Sequence, residues 1–324
     1  MQTNFLYKEN IRQQIHPIHI REGKYEITKK MNRNLIKFFA TLSLIMVPAV
    51  YSEAASISLG FSTWHSWWIP ANVTKMSQPL FIQAVYPVDN AYRMHINPNF
   101  RYGPALTMRL PKNISISSEF LYGQFTAKKK DLIYFNFIIK DKIGYIRRYD
   151  FNLILCYSFI DLMHVSAGFN YSHITNTIKS FSQTWAQYYA AGKKVIKMNS
   201  DEYTPLLGMG ISIPAIRDIL TINIDAAFLF CFAHVIRNES SLGRHEYSSQ
   251  ISFIPPHDIK ESNKNIGMNA SCKIKYHVPV APVGVSVGFR YTMHKRLVEI
   301  KNNNLEYEHQ YGITAAVDYI FNIK

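Results

Sequence analysis

The feature that most constrains the fold of this chain is a strict two-residue alternation of apolar and polar side chains. In 145–159 the odd positions carry most of the large apolar groups, namely Tyr145, Tyr149, Phe151, Leu153, Leu155, Tyr157 and Phe159. The even positions include Arg148, Asp150, Asn152, Cys156 and Ser158. A helix repeats every 3.6 residues and cannot hold this period, whereas successive side chains of a strand point to opposite faces. The pattern therefore predicts strands with two different faces.

Comparable runs recur along the chain from residue 56 onwards. They occupy 56–68, 99–110, 114–126, 145–159, 164–175, 202–214, 220–232, 265–278, 283–295 and 311–321. Each run is close to the ~9–11 residues with which a tilted strand crosses a bilayer. The sequence therefore predicts ten strands of membrane-spanning length.

The connections between these runs alternate in length. Short links follow runs two, four, six and eight, and the others are longer, at about 65–98, 127–144, 176–201, 233–264 and 296–306. Short periplasmic turns and long extracellular loops are typical of outer-membrane barrels. We predict an all-β fold, a closed antiparallel transmembrane β-barrel of ten strands with both ends in the periplasm. We interpret 132–139 as an extension of the third strand that pairs with the run from Tyr145 onwards.

The N-terminal region has the organisation of an export signal. Residues 1–30 are polar and precede a second methionine, Met31. Arg33 and Lys37 then precede an apolar stretch, and small residues follow at 52 and 54. This is the pattern of a secretory signal peptide. We expect 1–30 to lie upstream of the true start, 31–54 to be cleaved after Ala54, and 55–324 to form the barrel.

Composition and charge narrow the function classes. Aromatic residues make up 14% of the chain, charged residues 18%, and the formal net charge is +14. The cations are scattered and accompany no nucleic-acid-binding motif, so we expect an anion-facing surface and no nucleic-acid partner. The three cysteines lie far apart in apolar runs and predict neither a disulfide framework nor a metal site. No motif for a cofactor is present.

The signal peptide, the alternation and a last run with Tyr319 and Phe321 near its end together resemble Gram-negative outer-membrane β-barrel proteins as a broad class. That class usually ends on the aromatic residue itself, whereas Asn-Ile-Lys follows here. The resemblance implies an outer-membrane location and contact with membrane lipids and lipopolysaccharide or an equivalent. It also implies insertion by the barrel-assembly machinery, and the long loops leave room for an extracellular ligand. The alternative for the alternation itself is a secreted β-sandwich.

If the apolar faces point outwards, a set of charged residues points into the barrel. We interpret ten of them as a lumen charge network, comprising Arg101, Arg109, Glu119, Arg148, Asp150, Asp225, Lys273, Lys275, Arg290 and Asp318. The signs are mixed and a ten-stranded barrel is narrow, so paired charges that fill the lumen are favoured over a solute path. His277 and His294 share the inward positions.

One segment, 169–176, resembles the His-x-Ser-Asn element of the outer-membrane lipid A deacylase family. The resemblance implies a catalytic role for His173 with Thr175 in the place of the serine. The family has eight strands, and the next acidic residue after His173 in the sequence, Asp201, is far along the chain. The omptin proteases share the predicted strand count, but this chain has neither Asp-x-Asp nor Asp-x-His, and His257-Asp258 is the nearest pattern.

The sequence thus favours a non-enzymatic surface barrel whose loops bind a partner or shield the membrane. A narrow pore is the alternative, and a lipid A hydrolase a distant one. Trp64, Trp67 and Trp68 are interpreted as anchors at the membrane interface. Arg147 is interpreted as an outward cation that reaches phosphates of the outer leaflet.

Overall fold

A computed structural model describes residues 55–69, 96–126, 131–134, 137–143, 145–160, 162–184, 192–217, 219–244, 251–297 and 307–323. The predicted extension 1–30 and signal peptide 31–54 lie outside these residues. The described part of the chain contains no helix long and apolar enough to span a membrane.

The described residues form twelve strands. These are β1 (Ala55–Ile69), β2 (Asn99–Leu110), β3 (Ile114–Phe125), β4 (Asp131–Tyr134), β5 (Phe137–Ile143), β6 (Ile146–Ile160), β7 (Met163–Thr184), β8 (Gly192–Ile216), β9 (Leu220–Arg244), β10 (Ile251–His277), β11 (Val283–Arg296) and β12 (Tyr307–Ile323). The runs of β-branched and aromatic residues that form them suit a pleated, half-buried surface.

Ten of these strands close into an antiparallel barrel. The hydrogen-bonded order is β7-β6-β3-β2-β1-β12-β11-β10-β9-β8, and pairing of β8 with β7 completes the ring. The first strand pairs along its whole length with the last, from Ala55 with Ile323 to Ile69 with His309. The ten predicted strands and the closed antiparallel barrel are therefore confirmed.

Residues 132–139 depart from the prediction. They do not extend β3, which ends at Phe125, but lie in a separate hairpin of β4 and β5. β5 pairs with the far end of β7, from Phe137 with Thr184 to Ile143 with Ile178, and not with β6. The hairpin sits there because β7 runs nine residues past its last pairing with β6, at Thr175, and leaves an unpaired edge.

Four strands are much longer than the membrane requires. β7, β8, β9 and β10 contain 22, 25, 25 and 27 residues, whereas β2 and β3 contain 12 each. On β9 the last outward aromatic residue is Phe232, and the strand continues to Arg244. At ~3.3 Å per residue these twelve residues add ~40 Å of strand. Most of the predicted loops 176–201 and 233–264 are therefore paired sheet, which with β4 and β5 stands above one side of the barrel.

The outer face of the barrel is apolar. Exposed side chains on it include Phe61, Leu155, Leu207, Phe228, Phe230, Ile274, Val287, Phe289, Ile313 and Val317. Their neighbours along each strand point into the lumen, as the pairing of buried and exposed positions shows. Exposed apolar groups around a closed ring of strands face hydrocarbon, because a closed barrel satisfies every backbone hydrogen bond without water.

Candidate functional site: the barrel lumen and the outer rim

The centre of the lumen holds a buried cluster of charges. Arg101 is fully buried and its guanidinium bonds the carboxylate of Asp150, which is 2% exposed. Arg148 donates from Nε to the same carboxylate at 2.9 Å and from Nη1 to Glu308 Oε1 at 3.5 Å. Ser172 donates to Asp150 Oδ1 at 2.5 Å. Asp150 is therefore shared by three donors, which is the arrangement that a buried charge requires.

Two tryptophans pack against this charge cluster. The guanidinium carbon of Arg101 lies 3.7 Å from the ring centroid of Trp64, and that of Arg148 lies 5.0 Å from the ring centroid of Trp68. Trp68 also donates its indole N–H to Glu308 Oε1 at 2.8 Å. These are cation–π contacts in a desolvated place, where such contacts are strongest. Trp64 and Trp68 thus lie inside the barrel, and their interpretation as interface anchors is wrong.

The remaining tryptophan of that strand lies on the other face. Trp67 points outwards and its ring stacks on Tyr311 at 5.8 Å between centroids. Alternation separates the three residues, because positions 64 and 68 share the inward face of β1 with the buried Ser62 and Ser66. The sequence pattern contained this signal.

Gly123 makes room for the two arginines. It lies between them, paired with Arg101 on β2 and with Arg148 on β6. A Cβ at this position would collide with the side chain of Arg101. Because the lumen of a ten-stranded barrel is narrow, the missing side chain allows both guanidiniums to reach Asp150.

An apolar layer covers the charge cluster on its extracellular side. It consists of Trp68, Ile96, Phe125, Ile146 and Ile174, each between 0% and 9% exposed. A small cavity of about 30 Å³ lies among the charged groups beneath it. We call this cluster and the apolar layer together the plug.

A larger cavity of about 320 Å³ fills the periplasmic half of the lumen. Hydroxyl groups and ion pairs line it. Lys275 Nζ lies 2.7 Å from Asp318 Oδ2, and Arg290 Nη1 lies 3.7 Å from Glu119 Oε2. Asp225 bonds His164 Nε2 at 2.8 Å. The cavity is polar and large enough for several water molecules.

The predicted lumen residues thus fall into three groups. Arg101, Arg148 and Asp150 lie in the plug, whereas Glu119, Asp225, Lys273, Lys275, Arg290 and Asp318 line the periplasmic cavity. Arg109 is exposed near the periplasmic end of β2 and is separate from both. Glu202 and Glu308, two buried carboxylates beside Arg148, were not in the predicted set.

The cysteines lie in three different surroundings. Cys156 lines the periplasmic cavity, Cys231 is buried and Cys272 is exposed on the outer face. All three are free thiols on strands. They contribute small side chains to the barrel wall.

His173 and Thr175 lie on the outer face of β7, at the extracellular end of the barrel. Asp201 is the direct cross-strand partner of His173, and its Oδ1 atom lies 2.7 Å from His173 Nδ1. Tyr171 donates its hydroxyl to the same oxygen atom at 2.7 Å. Asp201 is therefore close to His173 in space, in contrast to its distance in sequence. In the part of the chain that the structure describes, no hydrogen bond joins His173 to Thr175.

An aromatic band surrounds this outer position. Tyr102, Tyr122, Tyr149 and His173 follow one another across β2, β3, β6 and β7 with centroid distances of 6.3, 5.0 and 6.1 Å. Tyr171 and Tyr203 continue the band on β7 and β8 at 5.3 Å. Rings with a polar tip collect at the boundary between hydrocarbon and water. The band therefore marks the extracellular membrane interface.

The closed ring of strands, the apolar outer face and the aromatic band define the class of the protein. The chain is an integral outer-membrane β-barrel protein. Barrels of this class have short turns on the periplasmic side and long hairpins on the side of the cell exterior, and the two ends of this barrel are called periplasmic and extracellular on that pattern.

Comparison with known proteins adds structures but no family. No family model matches the chain, and no curated protein matches it. The outer membrane protease OmpT from Escherichia coli is similar at 13% identity and a TM-score of 0.45, over 84% of this chain and 98% of that one. The attachment invasion locus protein Ail of Yersinia pestis is similar at 8% identity and a TM-score of 0.27, over 83% and 99%.

The outer membrane protein OprG from Pseudomonas aeruginosa is similar at 8% identity and a TM-score of 0.24, over 83% of this chain and 96% of that one. At such identities the likeness concerns the fold alone. The activity of this chain has to be inferred from its own residues.

Proposed function

We propose that the protein is a non-conducting surface protein of the outer membrane. In this proposal the plugged barrel is an anchor, and the sheet that projects outside the cell presents a binding surface to an extracellular partner. The observation that carries the proposal is the plug, in which buried paired charges lie beneath a layer of large apolar side chains. An open solute path would instead require a continuous wet lumen.

The projecting sheet supports the second half of the proposal. The barrel needs only about a dozen residues per strand to cross the membrane, yet β7 to β10 continue far beyond it as paired strands. Ordered sheet outside the membrane adds nothing to the sealing of the barrel. A rigid scaffold that holds loops in place is a common basis for binding.

A solute-swelling assay tests the closed lumen. Proteoliposomes with the wild-type protein should swell in arabinose no faster than protein-free liposomes, because the plug leaves no continuous water path. The double variant Trp68→Ala/Ile174→Ala, which thins the apolar layer, should swell faster. Rapid swelling with the wild type would favour the narrow pore, for which the 320 Å³ periplasmic cavity is the supporting observation.

A lipid A hydrolase is the second candidate, and one observation favours it. His173 and Asp201 form the base–orienter pair that nucleophilic catalysis uses, and both point towards the outer leaflet. The nucleophile is the weak element, because Thr175 lies two residues along the strand and is not bonded to His173.

Mass spectrometry of lipid A from cells that express the protein decides this candidate. We expect the acyl chains of lipid A to be the same with the wild type and with His173→Ala. An acyl chain that is lost with the wild type and retained with His173→Ala would establish the hydrolase instead.

A further inference from the structure

The outward cations at the extracellular rim are concentrated on one side of the barrel. Arg147 on β6, Lys197 on β8, and Lys260 and Lys264 on β10 are all exposed on the outer face. We call these four residues the rim cations. Among the side chains that the structure describes, the corresponding outer face of β11, β12, β1, β2 and β3 carries one cation at this end, Lys295.

The opposite side of the rim carries rings, as the cation side does, but few described cations. His65 contacts Phe100 at 4.6 Å and Trp67 at 4.7 Å between ring centroids, and Tyr291 lies 6.2 Å from His309. A general membrane anchor would distribute cations and rings around the whole circumference. The asymmetry indicates that the two sides of the rim face different chemistry.

Register places the rim cations close to one another and directly above the membrane boundary. Lys260 and Arg147 belong to one hydrogen-bonded row across five strands, in which Ile236, Asn199 and Thr175 stand between them. With strands ~4.8 Å apart this row is ~19 Å wide. It offers a guanidinium, an ammonium, an amide and a hydroxyl group on one face.

The boundary between hydrocarbon and water is marked by rings two to four residues below this row along the strands. Lys264 shares its row with Phe232, Tyr203 and Tyr171, and Phe232 and Tyr203 are the last large rings on β9 and β8. Lysine and arginine extend their charged ends towards water while their methylene groups lie along apolar surface. The rim cations therefore reach the level of lipid headgroups while the belt beneath them contacts acyl chains.

Local anions do not neutralise the rim cations. Asp201 is held by His173 and Tyr171 at 2.7 Å each. Asp258 lies two residues from Lys260, in the row of Lys197, and accepts a hydrogen bond at 2.9 Å from Asn238, which stands between it and Lys197. In the described part of the chain, no salt bridge joins a rim cation to either carboxylate. The four cations are thus available to an external anion.

We propose that the outer face of β6 to β10 at the extracellular rim binds the phosphate groups of an outer-leaflet lipid headgroup. The source is a membrane lipid and not free phosphate, because the cations adjoin the apolar belt where acyl chains pack. A headgroup with two or more phosphates suits a row ~19 Å wide. Arginine binds phosphate with two parallel hydrogen bonds, and lysine binds it as a point charge. This inference is independent of whether the lumen conducts.

Native mass spectrometry of the refolded full-length mature barrel in detergent tests the proposal. The probes are bisphosphorylated lipid A, the same lipid without its phosphates, and inorganic phosphate. The wild type should bind bisphosphorylated lipid A, and its affinity for the dephosphorylated lipid should be at least tenfold lower. The affinity of Arg147→Gln/Lys260→Gln for bisphosphorylated lipid A should be lower than that of the wild type by a similar factor. The control Arg109→Gln/Lys112→Gln also removes two exposed cations, but at the periplasmic end, and should bind this lipid like the wild type.

A heat-dependent shift of mobility in gels verifies that each variant is folded. The single substitution Lys264→Gln removes one rim cation and should lower the affinity for bisphosphorylated lipid A by a smaller factor. Equal affinity of the wild type and Arg147→Gln/Lys260→Gln would overturn the proposal. Equal binding of the two lipids, or saturation of the site by inorganic phosphate alone, would overturn it as well. A conducting lumen would contradict the proposed function but leave these binding results unchanged.

Discussion

At the scale of single residues, the lumen depends on one carboxylate. Asp150 bonds Arg101, Arg148 and Ser172 from three neighbouring parts of the ring. A buried ion pair adds little net stability compared with an apolar core. Removal of one partner is strongly destabilising, because it leaves the other as a buried charge without a counter-charge or water. The charge of Asp150 therefore matters more than its size.

We predict that Asp150→Asn lowers the free energy of unfolding by ~3–5 kcal/mol, because two buried guanidiniums lose their carboxylate. Urea titration of the protein in lipid vesicles measures this. Asp258→Asn is the matched control, since Asp258 is exposed outside the membrane, and we expect a change within ~0.5 kcal/mol. Equal effects of the two substitutions would show that the plug is not held by charge pairing.

Residue-level prediction from sequence was possible where parity was enough. Arg148 and Asp150 have the parity of Asn152 within a clear run, so their inward direction could be derived. The contact between His173 and Asp201 could not be, because it depends on the register of β7 against β8 across a segment predicted to be a loop. Tryptophan's preference for interfaces outweighed parity at Trp64 and Trp68, and the resulting prediction was wrong.

At the scale of elements, strands can be predicted from the sequence where they cross the membrane. Strands β2 and β3 match their predicted bounds within one residue, because lipid on one side and the lumen on the other impose contrasting residues. Beyond the membrane the sequences of β9 and β10 no longer alternate apolar with polar residues. For this reason the sequence pattern predicts loops where the structure has the extensions of β7 to β10 and the hairpin of β4 and β5.

The two faces of β6 provide a prediction at this scale. Leu155 is 48% exposed on the outer face, whereas Ile154 beside it lines the periplasmic cavity. Leu155→Arg should destabilise the protein by ~2–4 kcal/mol, because the charge enters the hydrocarbon region. Ile154→Arg should cost less, since the cavity holds Glu119 and Asp225. Refolding titrations in vesicles that give the reverse order would place β6 in the opposite register.

At the scale of the whole molecule, the barrel is divided along its axis. The periplasmic half of the lumen is a polar cavity, the centre is a charge cluster, and the extracellular side is an apolar layer under a projecting sheet. In the proposed function, this order places the barrier between the cavity and the cell exterior. It is the basis for regarding the barrel as an anchor and the projecting sheet as the functional surface.

Single-channel recording of the wild-type protein in a planar bilayer tests this account most directly. With 1 M KCl on both sides, we predict no steady conductance above that of the bare bilayer at either polarity, because ions would have to cross the buried layer of Trp68, Phe125 and Ile174. A stable, anion-selective current through the unmutated protein would contradict the account. It would show that water fills the lumen and that the inward cations select the ion.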